Sequence, residues 1–248
     1  MSSLKWLTSR PVAHRGLHDA GAGIIENTRS AVIAALESGY AIEVDLQASA
    51  DNKAMVFHDY SLERLTDTNR FLSELTEAEL KQVKFNDTAD QMMSLKDLLD
   101  LVQGRAPILL EIKNLEANIG PLEKEIVRVL KSYSGHVAVM SFNPKVVSQF
   151  RKLDPNLPRG IVSEDFRDDK KWGMLTRLQR FQLRNMLHWF RAKPDFVAYG
   201  IHSLPCVAPL VVRFLLWKPI LTWTVRTRAE HQRARIFANN IIFENFRP

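Results

Sequence analysis

A chain of 248 residues, 46% hydrophobic and 25% charged, can bury a large core, which excludes a disordered or fibrous class and suits one α/β barrel or two small domains. Its single cysteine, Cys206, excludes an intramolecular disulfide framework and reads as a packing residue in a reducing compartment. The net charge of +6 is unevenly placed: residues 1–150 hold 16 Lys and Arg against 20 Asp and Glu, and residues 151–248 hold 18 against 8.

The opening stretch MSSLKWLTSRPVAHRG lacks the apolar core of a secretory signal. The longest uncharged run, 17 residues from Phe196 to Val212, is broken by Gly200, Pro205 and Pro209 and is too short to span a bilayer. A cytoplasmic protein is expected. The basic second half suits anionic small molecules or lipid head groups. Without zinc-finger spacing, an RNP-like aromatic signature or a helix-turn-helix, nucleic acid is not an expected partner.

Strand-like and helix-like segments alternate through the chain, as in an α/β protein with a parallel sheet. Pro11-Val12-Ala13 is a first strand running into His14-Arg15-Gly16, and Asn27 or Thr28 caps a helix over Arg29–Ser38 that Gly39 ends. Ala41–Leu46 and Met55–Phe57 form two strands joined by a polar turn. Residues 60–93 are a longer polar insertion with one helical stretch, Glu74–Val83. The spacing predicts further helices over Ser94–Val102, Leu122–Tyr133, Pro144–Leu153, Trp172–Arg191, Val207–Trp217 and Ala229–Ala238. Strands are expected over Pro107–Lys113, His136–Phe142, Pro158–Ser163, Asp195–Ile201, Ile220–Val225 and Ile241–Phe243, with the Val207–Trp217 helix buried. No linker or internal repeat divides the chain, so residues 1–248 read as a single domain. Nine strands compete for the eight positions of a TIM (β/α)8 barrel, and Pro158–Ser163 has the weakest pattern.

Alternate residues of a strand share a face, so Glu43 and Asp45 point the same way. Two adjacent carboxylates on an apolar strand face water, or need a shared proton, a basic partner or a metal ion. In a barrel the C-terminal strand ends form one rim, and four consecutive strands deliver His14-Arg15, Glu43 and Asp45, His58-Asp59, and Glu111 with Lys113 to it. Solvation alone does not account for such a grouping.

These residues carry a resemblance. His14-Arg15-Gly16, Glu26-Asn27-Thr28, Glu43-x-Asp45, His58-Asp59, Glu111-x-Lys113, Ser141-Phe142 and Trp223-Thr224-Val225 stand in the order and approximate spacing of the glycerophosphodiester phosphodiesterase family. The resemblance implies a TIM barrel related to the phosphatidylinositol-specific phospholipases C. It also implies metal-dependent hydrolysis of glycerophosphodiesters to glycerol 3-phosphate and an alcohol. Glu43, Asp45 and Glu111 then become ligands of one divalent ion; an all-oxygen set suits Mg²⁺ or Ca²⁺, with Mn²⁺ also compatible. His14 becomes the general base and His58 the general acid, with the substrate's own glycerol hydroxyl as nucleophile. Arg15 and Lys113 suit phosphate oxygens. Glu26 binds a glycerol hydroxyl, orients Arg15 or belongs to a helix start; Asn27 contacts the phosphate or the metal; Trp223 walls the pocket or packs in the core. The remaining histidines, His18, His136, His188, His202 and His231, read as structural or solvated.

Some features depart from the family pattern. Ile25 replaces a proline before Glu26, and the closing strand continues Glu244-Asn245-Phe246 where relatives often have a Thr-Asp pair, which leaves open whether that strand contributes to the site. The segment Arg177–Arg191 mixes arginines with bulky apolar residues. It reads either as an outer helix with its apolar stripe on the sheet or as a contact for anionic membrane. Two other functions remain open: a lysophospholipase D or C acting on larger lipids, and a non-catalytic barrel that binds anionic lipid. No obligate protein partner is evident.

Overall fold

A computed structural model describes residues 4–114 and 119–248. Its strands are β1 (Val12–Ala13), β2 (Ala41–Ala48), β3 (Ala54–Val56), β4 (Ile108–Ile112), β5 (Val137–Ser141), β6 (Arg159–Ser163), β7 (Phe196–Gly200), β8 (Ile220–Val225) and β9 (Asn240–Phe243). Eight of them run parallel in one sheet, which closes because β1 pairs with both β2 and β9. The ninth, β3, runs antiparallel to the end of β2, with Leu46 opposite Val56 and Ala48 opposite Ala54.

This settles the surplus strand. Pro158–Ser163, the weakest pattern, is a barrel strand, whereas Met55–Phe57 lies outside the barrel. β2 is long enough to rise above the rim, and its exposed edge there is covered by β3. His58 therefore reaches the mouth from a hairpin over the barrel and not from a barrel strand.

Helices α1 (Arg29–Glu37), α2 (Glu77–Leu80), α3 (Leu95–Val102), α4 (Pro121–Leu130), α5 (Pro144–Leu153), α6 (Asp169–Trp172), α7 (Arg177–Arg184), α8 (Trp189–Ala192), α9 (Val207–Phe214) and α10 (Arg228–Phe237) fill the connections. Thr28 caps α1, accepting from the Ala31 amide at 3.5 Å. The expected helix over Glu74–Val83 is shorter, because Leu75 is extended and Thr76 caps α2. The expected helix over Trp172–Arg191 is three short helices, with breaks before Thr176 and His188.

Alternation along the strands builds two cores. Val12, Ala41, Leu109, Ala138, Met140, Val162, Phe196, Ala198, Leu221 and Ile242 form an interior cluster, which Leu7 joins from the N-terminal segment. The opposite set, including Ile42, Val44, Leu110, Val139, Val197 and Ile220, packs against the helices. Burial on both faces is what a parallel sheet requires. The insertion carries its own small core, with Phe57, Leu62, Leu72, Leu80 and Phe85 beneath Ile25.

Not every apolar residue is covered. α7 has no buried residue, and Leu178, Phe181, Leu187 and Phe190 are all exposed, so its apolar stripe does not lie on the sheet. Val207, Phe214, Leu215 and Trp217 are likewise exposed, which corrects the expectation of a buried helix there. Among the described residues no helix is long and apolar enough to cross a membrane.

Candidate active site

The rim above the interior core divides by strand. β1, β2, β4 and β9 deliver ionisable groups; β5 and β8 deliver aromatic rings.

On the ionic side the turn after β1 is fixed by backbone. The His14 amide donates to the Phe243 carbonyl at 2.9 Å and the Gly16 amide to the Glu43 carbonyl at 3.0 Å. Gly16 has φ +78°, and a Cβ there would come within 2.8 Å of the Ala31 backbone, so only glycine lets the chain fold this tightly onto α1. The turn aims the Arg15 amide at Glu43 Oε2, 2.9 Å away.

Glu43, Asp45 and Glu111 are all buried, and one oxygen of each lies within 4.8 Å of the others. Asn27 holds Asp45 from both sides: its Nδ2 donates to Asp45 Oδ2 at 2.9 Å and its Oδ1 accepts from the Asp45 amide at 3.2 Å. Lys113 pairs with Glu111 and stands 3.1 Å from Asp45 Oδ1, outside hydrogen-bonding geometry. Glu43 Oε1 is buried without a hydrogen-bond partner. Burial, reinforced by Asp45 and Glu111, raises the Glu43 carboxyl well above the usual carboxylate range. Asp45 moves the other way: burial would raise it too, but Lys113, His58 and Arg15 outweigh that and hold it low.

Each histidine has a carboxylate behind it. His14 Nδ1 is 2.5 Å from Glu244 Oε2, and His58 Nδ1 is 2.5 Å from Asp59 Oδ1. Burial lowers the His14 pKa despite the opposing pull of Glu244. Glu244 is held far below the carboxylate range: its burial is overridden by the hydrogen bond from His14, by the nearby His18 and by the charge of Arg226, whose Nε donates to Oε1 at 2.7 Å. Gln47 steadies the other dyad by donating from Nε2 to the carbonyls of Phe57 at 3.0 Å and Asp59 at 2.7 Å. Glu26 sits between two guanidinium groups, accepting from Arg15 at 2.8 Å and from Arg64 at 2.7 Å, while Arg64 Nε donates to Asp59 at 2.5 Å.

Glu244, just past the closing strand, reaches His14, so the departure from the family pattern there does not take that end of the chain away from these residues. His18, expected to be structural or solvated, is partly buried with Nε2 3.6 Å from Glu244 Oε2. Glu26 is hydrogen-bonded to Arg15, and the side-chain cap of α1 is Thr28. Trp223 packs on the interior cluster, donates from Nε1 to the Ala198 carbonyl at 3.1 Å, and meets Phe142 edge-on at 5.4 Å. His14, Arg15, Asn27, Glu43, Asp45, His58, Glu111 and Lys113 all meet at one mouth.

The fold and this grouping define a TIM-barrel hydrolase of phosphoric diesters. The model of the glycerophosphoryl diester phosphodiesterase family matches residues 14–246, and the chain belongs to that family. A glycerophosphodiester phosphodiesterase of Caldanaerobacter subterraneus subsp. tengcongensis is 26% identical over 196 residues, which is 75% of this chain and 78% of that protein. An Oleispira antarctica phosphodiesterase, solved with the product sn-glycerol-3-phosphate, superposes with a TM-score of 0.77 at 19% identity, covering 94% of this chain and 91% of that one. The glycerophosphodiester phosphodiesterase of Thermotoga maritima gives 0.72 at 21% identity, covering 94% of each chain.

Proposed function

We propose that the enzyme hydrolyses glycerophosphodiesters to glycerol 3-phosphate and an alcohol, with His14 as general base and His58 as general acid. The observation that carries this reading is the pair of carboxylate–imidazole dyads around one buried acid cluster. In both, the Nδ1 hydrogen bond leaves Nε2 as the nitrogen that moves a proton. Burial keeps His14 neutral near pH 7, as a base must be. His14 takes the proton of the substrate's glycerol hydroxyl, which attacks phosphorus; His58 gives a proton to the departing alkoxide; water then opens the cyclic phosphate. Arg15 and Lys113 donate to the phosphate oxygens, Arg15 held flat by Glu26.

The acid cluster fits a divalent ion. Its donors are all oxygens, and Glu43 Oε1 and Asp45 Oδ1 are buried without hydrogen bonds. Glu43, Asp45 and Glu111 would hold Mg²⁺, Ca²⁺ or Mn²⁺, which when bound offsets their repulsion and neutralises charge on the phosphodiester. Asn27 supports this set by fixing Asp45.

Release of glycerol 3-phosphate from soluble diesters with each metal, and after chelation, tests the reading. His14→Ala and His58→Ala should each lose about two to four orders of magnitude in rate. Losses under tenfold would remove the two proton-transfer roles.

A second reading concerns location. The exposed Leu178, Phe181, Leu187 and Phe190 lie along the same segment as the exposed Arg177 and Arg191. That combination suits peripheral contact with an anionic membrane, the apolar side chains entering the head-group layer and the arginines meeting its phosphates.

A further inference from the structure

The aromatic side of the mouth is built around a positive charge. Lys171 Nζ lies 5.0 Å from the ring centre of Trp172, 5.1 Å from that of Trp223 and 5.3 Å from that of Phe142. A carboxylate completes the enclosure, with Glu164 Oε1 2.6 Å from the same ammonium. Phe142 and Glu164 each stand two positions beyond an interior residue, Met140 and Val162, so alternation turns both into the mouth. We propose that this cage of Phe142, Trp172, Trp223 and Glu164 is the seat for a cationic leaving alcohol, a quaternary ammonium of the choline type, which displaces Lys171. The assignment rests on the phosphodiesterase reading above and names the class of its substrate.

The cage stands without its present occupant. Phe142 packs against Trp172 at 5.2 Å and Trp223 at 5.4 Å, and Phe166 backs Trp172 at 4.8 Å. Trp172 Nε1 donates to Glu164 Oε1 at 2.9 Å. Gly200 leaves room for that carboxylate, since a Cβ there would come within 3.2 Å of Glu164 Cβ. Trp172 is only 5% exposed. The occupant is loose by comparison: the Lys171 side chain is 44% exposed and reaches in from the four-residue helix α6.

Physical chemistry favours the exchange. Ring faces attract any cation, but a primary ammonium is strongly hydrated and gives up more water than a quaternary one on entering. An ion pair as open as Lys171–Glu164 opposes displacement weakly. In a choline diester the ammonium lies two carbons beyond the ester oxygen, so phosphate on the ionic side places it toward the aromatic side. A neutral alcohol finds no partner for Glu164.

Binding and turnover test the proposal separately. Tetramethylammonium and choline should change the tryptophan fluorescence of the full-length wild-type protein saturably, while the neutral carbon isostere of choline, dimethylbutanol, should not. Lys171→Ala should tighten binding of both cations by about three- to tenfold, and Glu164→Gln should weaken it by at least that much. In turnover, the ratio of kcat/KM for glycerophosphocholine to that for glycerophosphoglycerol should rise in Lys171→Ala and fall in Glu164→Gln. Absence of cation binding in wild type and Lys171→Ala alike, or an unchanged or lower ratio in Lys171→Ala, would overturn the cage. If no diester is hydrolysed under any metal, the phosphodiesterase reading fails, and the fluorescence titration still decides the cage.

Discussion

Glu244 Oε2 lies 2.5 Å from His14 Nδ1, so the last strand of the barrel, 230 positions away, sets the tautomer of the imidazole after the first. Two forces on that ring oppose each other: burial favours the neutral form, and Glu244 favours the charged one. Arg226 holds the other oxygen of Glu244 at 2.7 Å and so aims the carboxylate at His14.

Removing this carboxylate should change both rate and pH profile. Glu244→Gln should reduce kcat by about one to three orders of magnitude, since an orienting group behind a histidine base carries effects up to that size. The sign of the pH effect follows from the causes: Glu244 raises the His14 pKa, so its loss lowers it further. The acid limb of kcat/KM should therefore move to lower pH. A limb that stays in place would show that His14 is not the base. Stability should respond separately. Glu244 is depressed in the folded state, so its contribution is fully present above its ordinary value of 4.5 and declines as pH falls below it. The difference in unfolding free energy between wild type and Glu244→Gln should accordingly be about 1–3 kcal/mol at neutral pH and shrink in acid.

Glu43 gives the opposite case. Its carboxyl is raised by burial and by Asp45 and Glu111, so ionising it costs stability as pH rises from its ordinary value of 4.5 toward the raised one. In chelator at neutral pH, Glu43→Gln should melt higher than wild type. Added divalent ion should raise the Tm of wild type and leave that of Glu43→Gln nearly unmoved. Differential scanning fluorimetry with and without metal would show it. A wild-type Tm indifferent to Mg²⁺, Mn²⁺ and Ca²⁺ would contradict the ligand role of this cluster.

Asn27 holds Asp45 through both its side-chain atoms. Asn27→Ala leaves the Asp45 amide and Oδ2 without their partner in a buried site, which should cost about 1–3 kcal/mol. Metal affinity should fall about 10–100-fold, the usual consequence of removing a group that orients a ligand. Calorimetric titration of metal into the variant separates this from direct ligation, whose loss would abolish binding altogether.

The ionic half of the mouth was legible because its residues sit in short fixed spacings. Glu43-x-Asp45 and Glu111-x-Lys113 obey strand alternation, so their faces follow from sequence. The same rule, carried past Ile242, points Glu244 inward, but its departure from the family pattern put that strand's contribution in doubt. Phe142 and Glu164 follow from Met140 and Val162 by the same rule. Their meeting with Trp172 does not, since that depends on a loop and a four-residue helix after β6 whose path no periodicity fixes. The identity of the extra strand was illegible for a related reason. Met55–Phe57 and Pro158–Ser163 both read as short strands, and only the antiparallel pairing of β3 on the overhang of β2 tells which lies outside the barrel.

The segment over α7 and α8 misled because its pattern is that of an amphipathic helix, and a helical stripe is ordinarily covered. Here Phe190 is 84% exposed, Leu178 64% and Phe181 58%, so the stripe is uncovered, and on the proposed reading an anionic membrane would cover it. On that reading the flanking Arg177 and Arg191 would favour a negatively charged surface over a neutral one. The protein should co-sediment with vesicles containing phosphatidylserine or phosphatidylglycerol at low salt and release as salt rises, because the electrostatic part is screened. Phe181→Ser with Phe190→Ser should abolish retention while leaving hydrolysis of a soluble diester intact, since neither ring touches the acid cluster or the histidines. Binding that is equal on neutral and anionic vesicles, or none at low salt, would rule out the membrane contact.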